Sequence, residues 1–142
     1  MAGRKTFRLS IISPERNFYE GDVEMVELNT VNGILGIYAE HIPLTTVLAP
    51  GVVHIYEDEA KESKNAAICD GFVEILKDRV TVLAQSSEWP GEIDTSRAEE
   101  ARRRAERRLS GETEGGEINV ARAERALHRA LTRLELADGN MK

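Results

Sequence analysis

The chain has 142 residues, of which 41% are hydrophobic, and a formal net charge of −6. This length suits one domain of ordinary size, or a small domain that carries an appendage. Residues 1–87 hold 8 Lys and Arg against 13 Asp and Glu, whereas residues 88–142 hold 11 against 12. Because a general nucleic-acid-binding protein needs a clearly basic surface, this balance argues against that class.

Cysteine content and hydropathy exclude several further classes. Cys69 is the only cysteine, so an intrachain disulfide and a multi-cysteine zinc site are excluded, and a reducing compartment fits best. No apolar run is long enough to span a membrane, and the N-terminus lacks the apolar core of a signal peptide. We therefore expect any membrane association to go through a partner.

Residues 6–84 are predicted to form short β-strands. Apolar and polar residues alternate there, and turn residues separate the runs. Asp70-Gly71 and Lys77-Asp78 are the clearest turn signals, and they predict a three-stranded meander over residues 66–69, 72–76 and 79–84. Many short strands at close spacing favour a compact sandwich or barrel over a parallel sheet.

After residue 84 the pattern changes from strand to helix. Residues 85–92 include serines, a proline and a glycine, which predict a boundary or hinge. Small apolar residues then recur every three or four positions and predict helices at about 95–109 and 120–137, with Asp94 and Asn119 as N-caps. A glycine-rich break at 110–116 makes these two helices an antiparallel hairpin.

The apolar stripe of the first predicted helix is mostly alanine: Ala98, Ala101 and Ala105, followed by Leu109. Each alanine buries far less than the ~1.5–3 kcal/mol available to a leucine. We therefore expect the hairpin to dock weakly on the β-domain and to be a mobile element.

The segment from Ile93 to Ala98 joins the N-cap to an unusual arginine. The Asp94 carboxylate can accept hydrogen bonds from the first free amides of the helix, and its charge suits the positive end of the helix dipole. Arg97 lies in the first turn, where a cation gains nothing from that dipole. A bound phosphate would explain why an arginine stands at this position. The alternative is that the Arg97 side chain is solvated or paired with a carboxylate.

Several motifs that are spread over nearly the whole chain occur together. They are Ser13-Pro14-Glu15-Arg16 with Phe18-Tyr19-Glu20-Gly21, Gly33-Ile34-Leu35-Gly36-Ile37, His41-Ile42-Pro43-Leu44, Asp70-Gly71-Phe72-Val73-Glu74 with Val80-Thr81-Val82-Leu83-Ala84, and Ile93-Asp94-Thr95-Ser96-Arg97-Ala98. On these motifs the chain resembles the epsilon subunits of bacterial F-type ATP synthases, which are called delta in mitochondria.

The resemblance implies a fold and a place in a complex. The fold is an N-terminal ten-stranded β-sandwich, residues 1–87, followed by a C-terminal two-helix hairpin, residues 88–142. The sandwich would bind the gamma subunit and the c-ring of the central stalk, in a proton- or sodium-translocating enzyme at the cytoplasmic face of the bacterial plasma membrane. The hairpin would regulate ATP hydrolysis by extending from the sandwich along the gamma subunit to the alpha/beta head. The subunit itself would not be an enzyme.

The resemblance also implies an ATP site in the compact state. No cofactor is expected to be obligatory, no metal site is expected, and no residue is expected to be catalytic, because paired acids and an activated nucleophile are lacking. Helix-face geometry adds Arg122 and Arg125 as further candidate contacts. The residues carried over from the family are Glu88, Ile93, Asp94, Arg97, Ala98, Arg104, Arg129 and Arg133.

Two alternatives stay open at this point. The arginines of the hairpin could simply pair with Glu99, Glu100, Glu106 and Glu124 on solvated helix faces. The whole tail could also be permanently folded, which would make the chain a purely structural rotor adaptor.

The resemblance also implies a second role for arginines of the first helix. In the extended state of the hairpin they would face acidic segments of the beta subunits. These arginines are Arg102, Arg103, Arg104, Arg107 and Arg108.

Overall fold

The computed structural model describes residues 5–111 and 119–138. Eight strands precede two helices, and the strands form one hydrogen-bonded sheet in the order β2-β1-β8-β7-β6-β3-β4, with β5 on β7. The strands are β1 Phe7–Ser13, β2 Arg16–Val23, β3 Met25–Thr30, β4 Gly33–Tyr38, β5 Leu44–Val47, β6 Gly51–Tyr56, β7 Lys64–Ile75 and β8 Arg79–Glu88.

The described residues hold eight strands, whereas ten were expected. Residues 66–69 and 72–76 were predicted to be two strands joined by a turn at Asp70-Gly71, but β7 runs through this point. Asp70 and Gly71 have φ values of 58° and 117°, and the pairing with β8 keeps one register on both sides of them. The dipeptide therefore bends the strand without reversing it.

The bend in β7 carries the chain from one layer of the sandwich to the other. Ile68 before it and Val73 after it both face the core, although an unbroken alternation would put them on opposite faces. β6 pairs with the first half of β7 and β5 with the second half, along the same edge. The sheet thus folds over on itself. Each of the long strands β7 and β8 takes part in both layers, so counting each of them once gives eight strands and counting each half separately gives ten.

The end of β8 also differs from the sequence-based expectation. Residues 85–88 were predicted to belong to the hinge, but β8 continues to Glu88 because Ser86, Ser87 and Glu88 pair with the first half of β7. Long-range pairing here overrides the weak strand propensity of serine. The link to the helices is then short, with a 3-10 turn at Pro90–Glu92.

The helices are α1, Thr95–Leu109, and α2, Val120–Ala137. Asp94 and Asn119 cap them, each accepting a hydrogen bond from the backbone amide three residues on. The two helices pack on each other through small residues, since Ala98, Ala105, Ala123 and Ala130 are all buried. Most of the predicted break at 110–116 lies outside the described residues.

Helix α2 docks on the outer face of β6 and β7. Val52, Ala67 and Leu136 form a small second core there, with Ile93 packed against it. This contact explains why β6 and β7 carry runs of consecutive buried residues: one face meets the sandwich core and the other meets α2. The apolar area that holds the hairpin on the sandwich is therefore small, but α2 supplies it: the alanines of α1, which were expected to dock on the β-domain, pack against α2 instead. Neither described helix is long and apolar enough to cross a membrane.

Candidate functional site

A polar cleft of about 370 Å³ lies where the end of β8, the first two-thirds of α1 and the C-terminal third of α2 meet. Its size falls within the range of small-molecule sites. The lining is dominated by charged side chains, which suits an ionic ligand better than an apolar one. The lining residues are Glu88, Asp94, Arg97, Ala98, Glu100, Ala101, Arg104 and Arg133.

Arg133 ties α2 to the sandwich at the floor of this cleft. Its Nε lies 2.5 Å from Oε1 of Glu88, and its Nη2 lies 3.4 Å from the hydroxyl of Ser86. Both ion-pair side chains are about one-quarter exposed, so the pair is only partly screened by water. The pair therefore fastens the hairpin while leaving part of the guanidinium facing the cleft.

Arg129 lies one helical turn away and makes a second cross-domain pair. Its Nη1 is 3.2 Å from Oδ2 of Asp70, the residue at the bend of β7. This arginine is not among the side chains that line the cleft. Arg129 and Arg133 thus share one face of α2, as their spacing predicted, but they contact different carboxylates.

Arg97 has a different environment from these two arginines. Its backbone amide donates to the Asp94 carboxylate at 3.1 Å, which completes the N-cap. Within residues 5–111 and 119–138, its guanidinium makes no hydrogen bond or ion pair. An exposed cation that lines a cleft and has no carboxylate partner is available to an anion.

Most of the remaining arginines of α1 pair with glutamates on the same helix, as one of the two alternatives from the sequence proposed. Arg102 is hydrogen-bonded to both Glu99 and Glu106, the latter at 2.7 Å. Arg104 makes a looser contact, with its Nη2 3.9 Å from Oε1 of Glu100. Arg104 is therefore only weakly held, and it lines the cleft beside Arg97.

The structure brings together most of the residues that the sequence proposed for the nucleotide. Six of them line the cleft, whereas Ile93 does not and packs against the small second core. Arg122 and Arg125 are exposed on α2 and do not line it, and Arg129 faces Asp70. The six are Glu88, Asp94, Arg97, Ala98, Arg104 and Arg133.

Sequence reasoning missed two lining residues, Glu100 and Ala101. Glu100 lies three residues after Arg97 and four before Arg104, so helical spacing alone places the three on one face of α1. The same spacing also makes Glu100 an ion-pair partner of Arg104, so the sequence carried the signal for its place in the cleft. Among the described residues, no three His, Cys, Asp or Glu side chains are grouped so that they could hold a metal ion.

A second surface feature is an apolar row on the outside of the sandwich. Val47 pairs with Phe72 across β5 and β7, and Phe72 pairs with Leu83 across β7 and β8. These three side chains are 53%, 43% and 38% exposed. Contiguous exposed apolar groups of this kind mark surfaces that bind a partner. Further exposed apolar residues are Val31, Ile34, Tyr38, Ile42 and Leu44.

Two family models match the chain and together cover most of it. Residues 6–90 match the β-sandwich domain of the ATP synthase delta/epsilon chain, and residues 92–138 match its long α-helix domain. Among curated relatives, the ATP synthase epsilon chain of Caldanaerobacter subterraneus is 47% identical over 74% of this chain and 75% of its own length. That of Shouchella clausii is 47% identical over 75% and 79%, respectively.

Solved structures share the fold at low sequence identity. A chain of the Euglena gracilis mitochondrial ATP synthase, in a structure of its OSCP, F1 and c-ring, superposes with a TM-score of 0.75 at 20% identity. The match covers 96% of this chain and 84% of that one. A chain from the central stalk and c-ring of the Tetrahymena thermophila mitochondrial enzyme gives 0.57 at 14% identity, over 99% and 100%.

Proposed function

The chain belongs to the ATP synthase delta/epsilon chain family as an epsilon-type, non-catalytic subunit of an F-type ATP synthase, and we propose that it regulates the rotor through its hairpin. In this proposal residues 1–87 are the rotor-binding domain and residues 88–142 the regulatory one. The subunit is peripheral and works at the cytoplasmic face of the bacterial plasma membrane.

The apolar row of Val47, Phe72 and Leu83 supports binding of the sandwich to the gamma subunit and the c-ring. A monomeric soluble domain seldom leaves a row of large apolar side chains open to water. Because the row lies on the outer face of the layer that α2 does not cover, a rotor partner can reach it in either state of the hairpin.

The small contact between α2 and the sandwich supports a mobile hairpin. Among the described residues, two ion pairs and one small apolar cluster join it to the sandwich, and partly exposed ion pairs contribute little each. In the compact state the hairpin lies on β6 and β7; in the extended state it would reach the alpha/beta head and oppose hydrolysis. There the arginines of α1 would meet the beta subunits.

The single observation that supports a nucleotide ligand is the unpaired guanidinium of Arg97 in the same cleft as Arg104 and Arg133. Guanidinium groups suit phosphate oxygens, and three of them from two helices converge only when the hairpin is closed. ATP would therefore favour the compact state, by its higher affinity for that state. It acts here as a regulatory ligand, not as an obligatory cofactor.

Calorimetric titration of ATP into the full chain tests this ligand. The wild type is expected to bind, and Arg97→Ala to bind roughly tenfold or more weakly, because a charge-assisted phosphate contact is worth about 1.5–3 kcal/mol. Arg122→Ala removes the same charge from an exposed site outside the cleft and is expected to leave the affinity unchanged. No heat and no thermal stabilisation at millimolar ATP would remove the nucleotide from the proposal.

A structural adaptor with a permanently folded tail is the second candidate. It is favoured by the ion pairs Arg129–Asp70 and Arg133–Glu88, which join α2 directly to β7 and β8. Truncation after Glu88 decides between the two functions in the assembled synthase. Faster ATP hydrolysis by the truncated complex is expected for a regulatory hairpin, and unchanged hydrolysis would leave only the adaptor.

A further inference from the structure

We infer that Glu100 lowers the affinity of this cleft for nucleotides and makes the affinity depend on how many phosphates the ligand carries. The inference rests on the proposed nucleotide site. Glu100 is not among the ligand residues that the family implies, and it enters through the geometry of the lining.

The charges of the cleft are balanced, which is unusual for a site that is to bind a polyphosphate. Three of the lining side chains are acidic and three are basic. A strongly anionic ligand thus meets no net attraction from the walls, and any carboxylate near its phosphates repels it. The acidic members are Glu88, Asp94 and Glu100, and the basic ones are Arg97, Arg104 and Arg133.

Two of the three carboxylates contribute to the fold. Glu88 accepts from Arg133 and joins β8 to α2, and Asp94 caps α1. Glu100 makes no comparable contribution, because its side chain is 69% exposed and its contact with Arg104 is 3.9 Å long. An exposed pair at this spacing contributes only about 0.3–0.5 kcal/mol to a helix. Glu100 can therefore be neutralised without loosening the hairpin.

Neutralising Glu100 changes the cleft in two ways that act together. It removes a negative charge between Arg97 and Arg104 on one face of α1, and it releases Arg104 from its competing partner. Both changes should raise the affinity of the cleft for anionic ligands. Because Coulomb repulsion grows with the charge of the ligand, the gain should be largest for ATP, smaller for ADP and smallest for AMP.

The test is calorimetric titration of ATP, ADP and AMP into the full chain as wild type and as Glu100→Gln. We expect Glu100→Gln to bind ATP roughly three- to tenfold more tightly at low salt, with a graded and smaller gain for ADP and AMP. Glu100→Asp keeps the charge and is expected to stay within about twofold of the wild type. A gain of equal size for all three nucleotides would overturn the inference.

Glu106→Gln is the matched control. Glu106 also lies on α1 and pairs with an arginine four residues away, Arg102, but it does not line the cleft. If both glutamine variants tightened ATP binding equally, the effect would come from net charge and the inference would fail. If the wild type and Glu100→Gln bound ATP equally well, only this inference would fail. If no variant bound ATP, the proposed nucleotide site would fail with it.

Discussion

Arg16 in β2 holds Glu92 in the link to α1 with both terminal nitrogens, at 2.8 Å and 2.7 Å from the two carboxylate oxygens. The same guanidinium donates to the carbonyl of Ser87 and lies 5.0 Å from the ring centre of Phe18. Trp89 stacks on that ring at 4.3 Å. The link is therefore fastened to the sandwich up to Glu92, and the undocking proposed for the hairpin would pivot after this residue.

This clamp predicts an acid-sensitive hinge. The pKa of Glu92 is lowered to about 2, first because Arg16 donates to the carboxylate and second because the Trp89 amide does. Since the pKa in the folded protein lies below the unfolded value of 4.5, the stabilisation is fully present above about pH 4.5 and is lost as the pH falls towards 2. The emission of Trp89, the only tryptophan, should change over this range.

Two variants check the assignment of that change to the clamp. Glu92→Gln should alter Trp89 emission already at pH 7 and should show a smaller change on acidification. Glu40→Gln is the control, because Lys5 also lowers the pKa of Glu40 but this pair lies away from the link. An acid transition of the same size in Glu92→Gln as in the wild type would contradict the prediction.

Cys69 is expected to report undocking of α2. The thiol is buried, burial raises its pKa, and the charges of Arg133 and Arg129 on α2 lie close to it. A thiol reagent can reach it only after the hairpin opens, so the labelling rate follows the open population when reclosing is fast. Arg129→Ala and Arg133→Ala should each speed labelling by about two- to fivefold, the effect expected of a partly exposed ion pair.

Arg122→Ala is the control for that measurement, because Arg122 is exposed on α2 and does not line the cleft. Its labelling rate should equal that of the wild type. Saturating ATP should slow labelling of the wild type if the ligand selects the compact state. Unchanged rates in both ion-pair variants would mean that these pairs do not hold the hairpin.

Gly71 is expected to tolerate no side chain. Its φ is 117°, and a Cβ atom there would lie 1.9 Å from the carbonyl oxygen of Leu83 in β8. Gly71→Ala should therefore lower the free energy of unfolding by about 2–4 kcal/mol. Gly91→Ala is the matched control: no atom lies within 4 Å of its Cβ position, and the change should stay below about 1 kcal/mol. Denaturant unfolding of the two variants compares them directly.

Features that depend on local sequence could be predicted. The caps Asp94 and Asn119, and the alanine seam, follow from propensities and periodicity within a few residues, and the structure has them. These features need no knowledge of which distant segments meet.

Features that depend on distant pairing could not be predicted. Asp70-Gly71 has the composition of a hairpin turn, and only the pairing of β7 with β8 shows that the strand continues. The spacing of Arg129 and Arg133 predicted a shared face, but not that Asp70, 59 residues away, accepts from one of them. Arg16 and Glu92 are 76 residues apart, and no local pattern connects them.

Phe72 is expected to be central to rotor binding, because it lies between Val47 and Leu83 in the exposed apolar row. Phe72→Glu introduces a charge there and should weaken binding to the gamma subunit roughly tenfold or more, as the loss of a buried aromatic contact does.

Thr45→Glu is the matched control. It adds the same charge to the same face of β5 as Val47, two residues away and opposite Glu74. It should have a much smaller effect. Both isolated variants should stay folded, since both side chains are exposed, and Thr45→Glu should melt slightly lower because its carboxylate lies opposite that of Glu74. Equal loss of gamma binding in the two variants would show that the apolar row is not the contact.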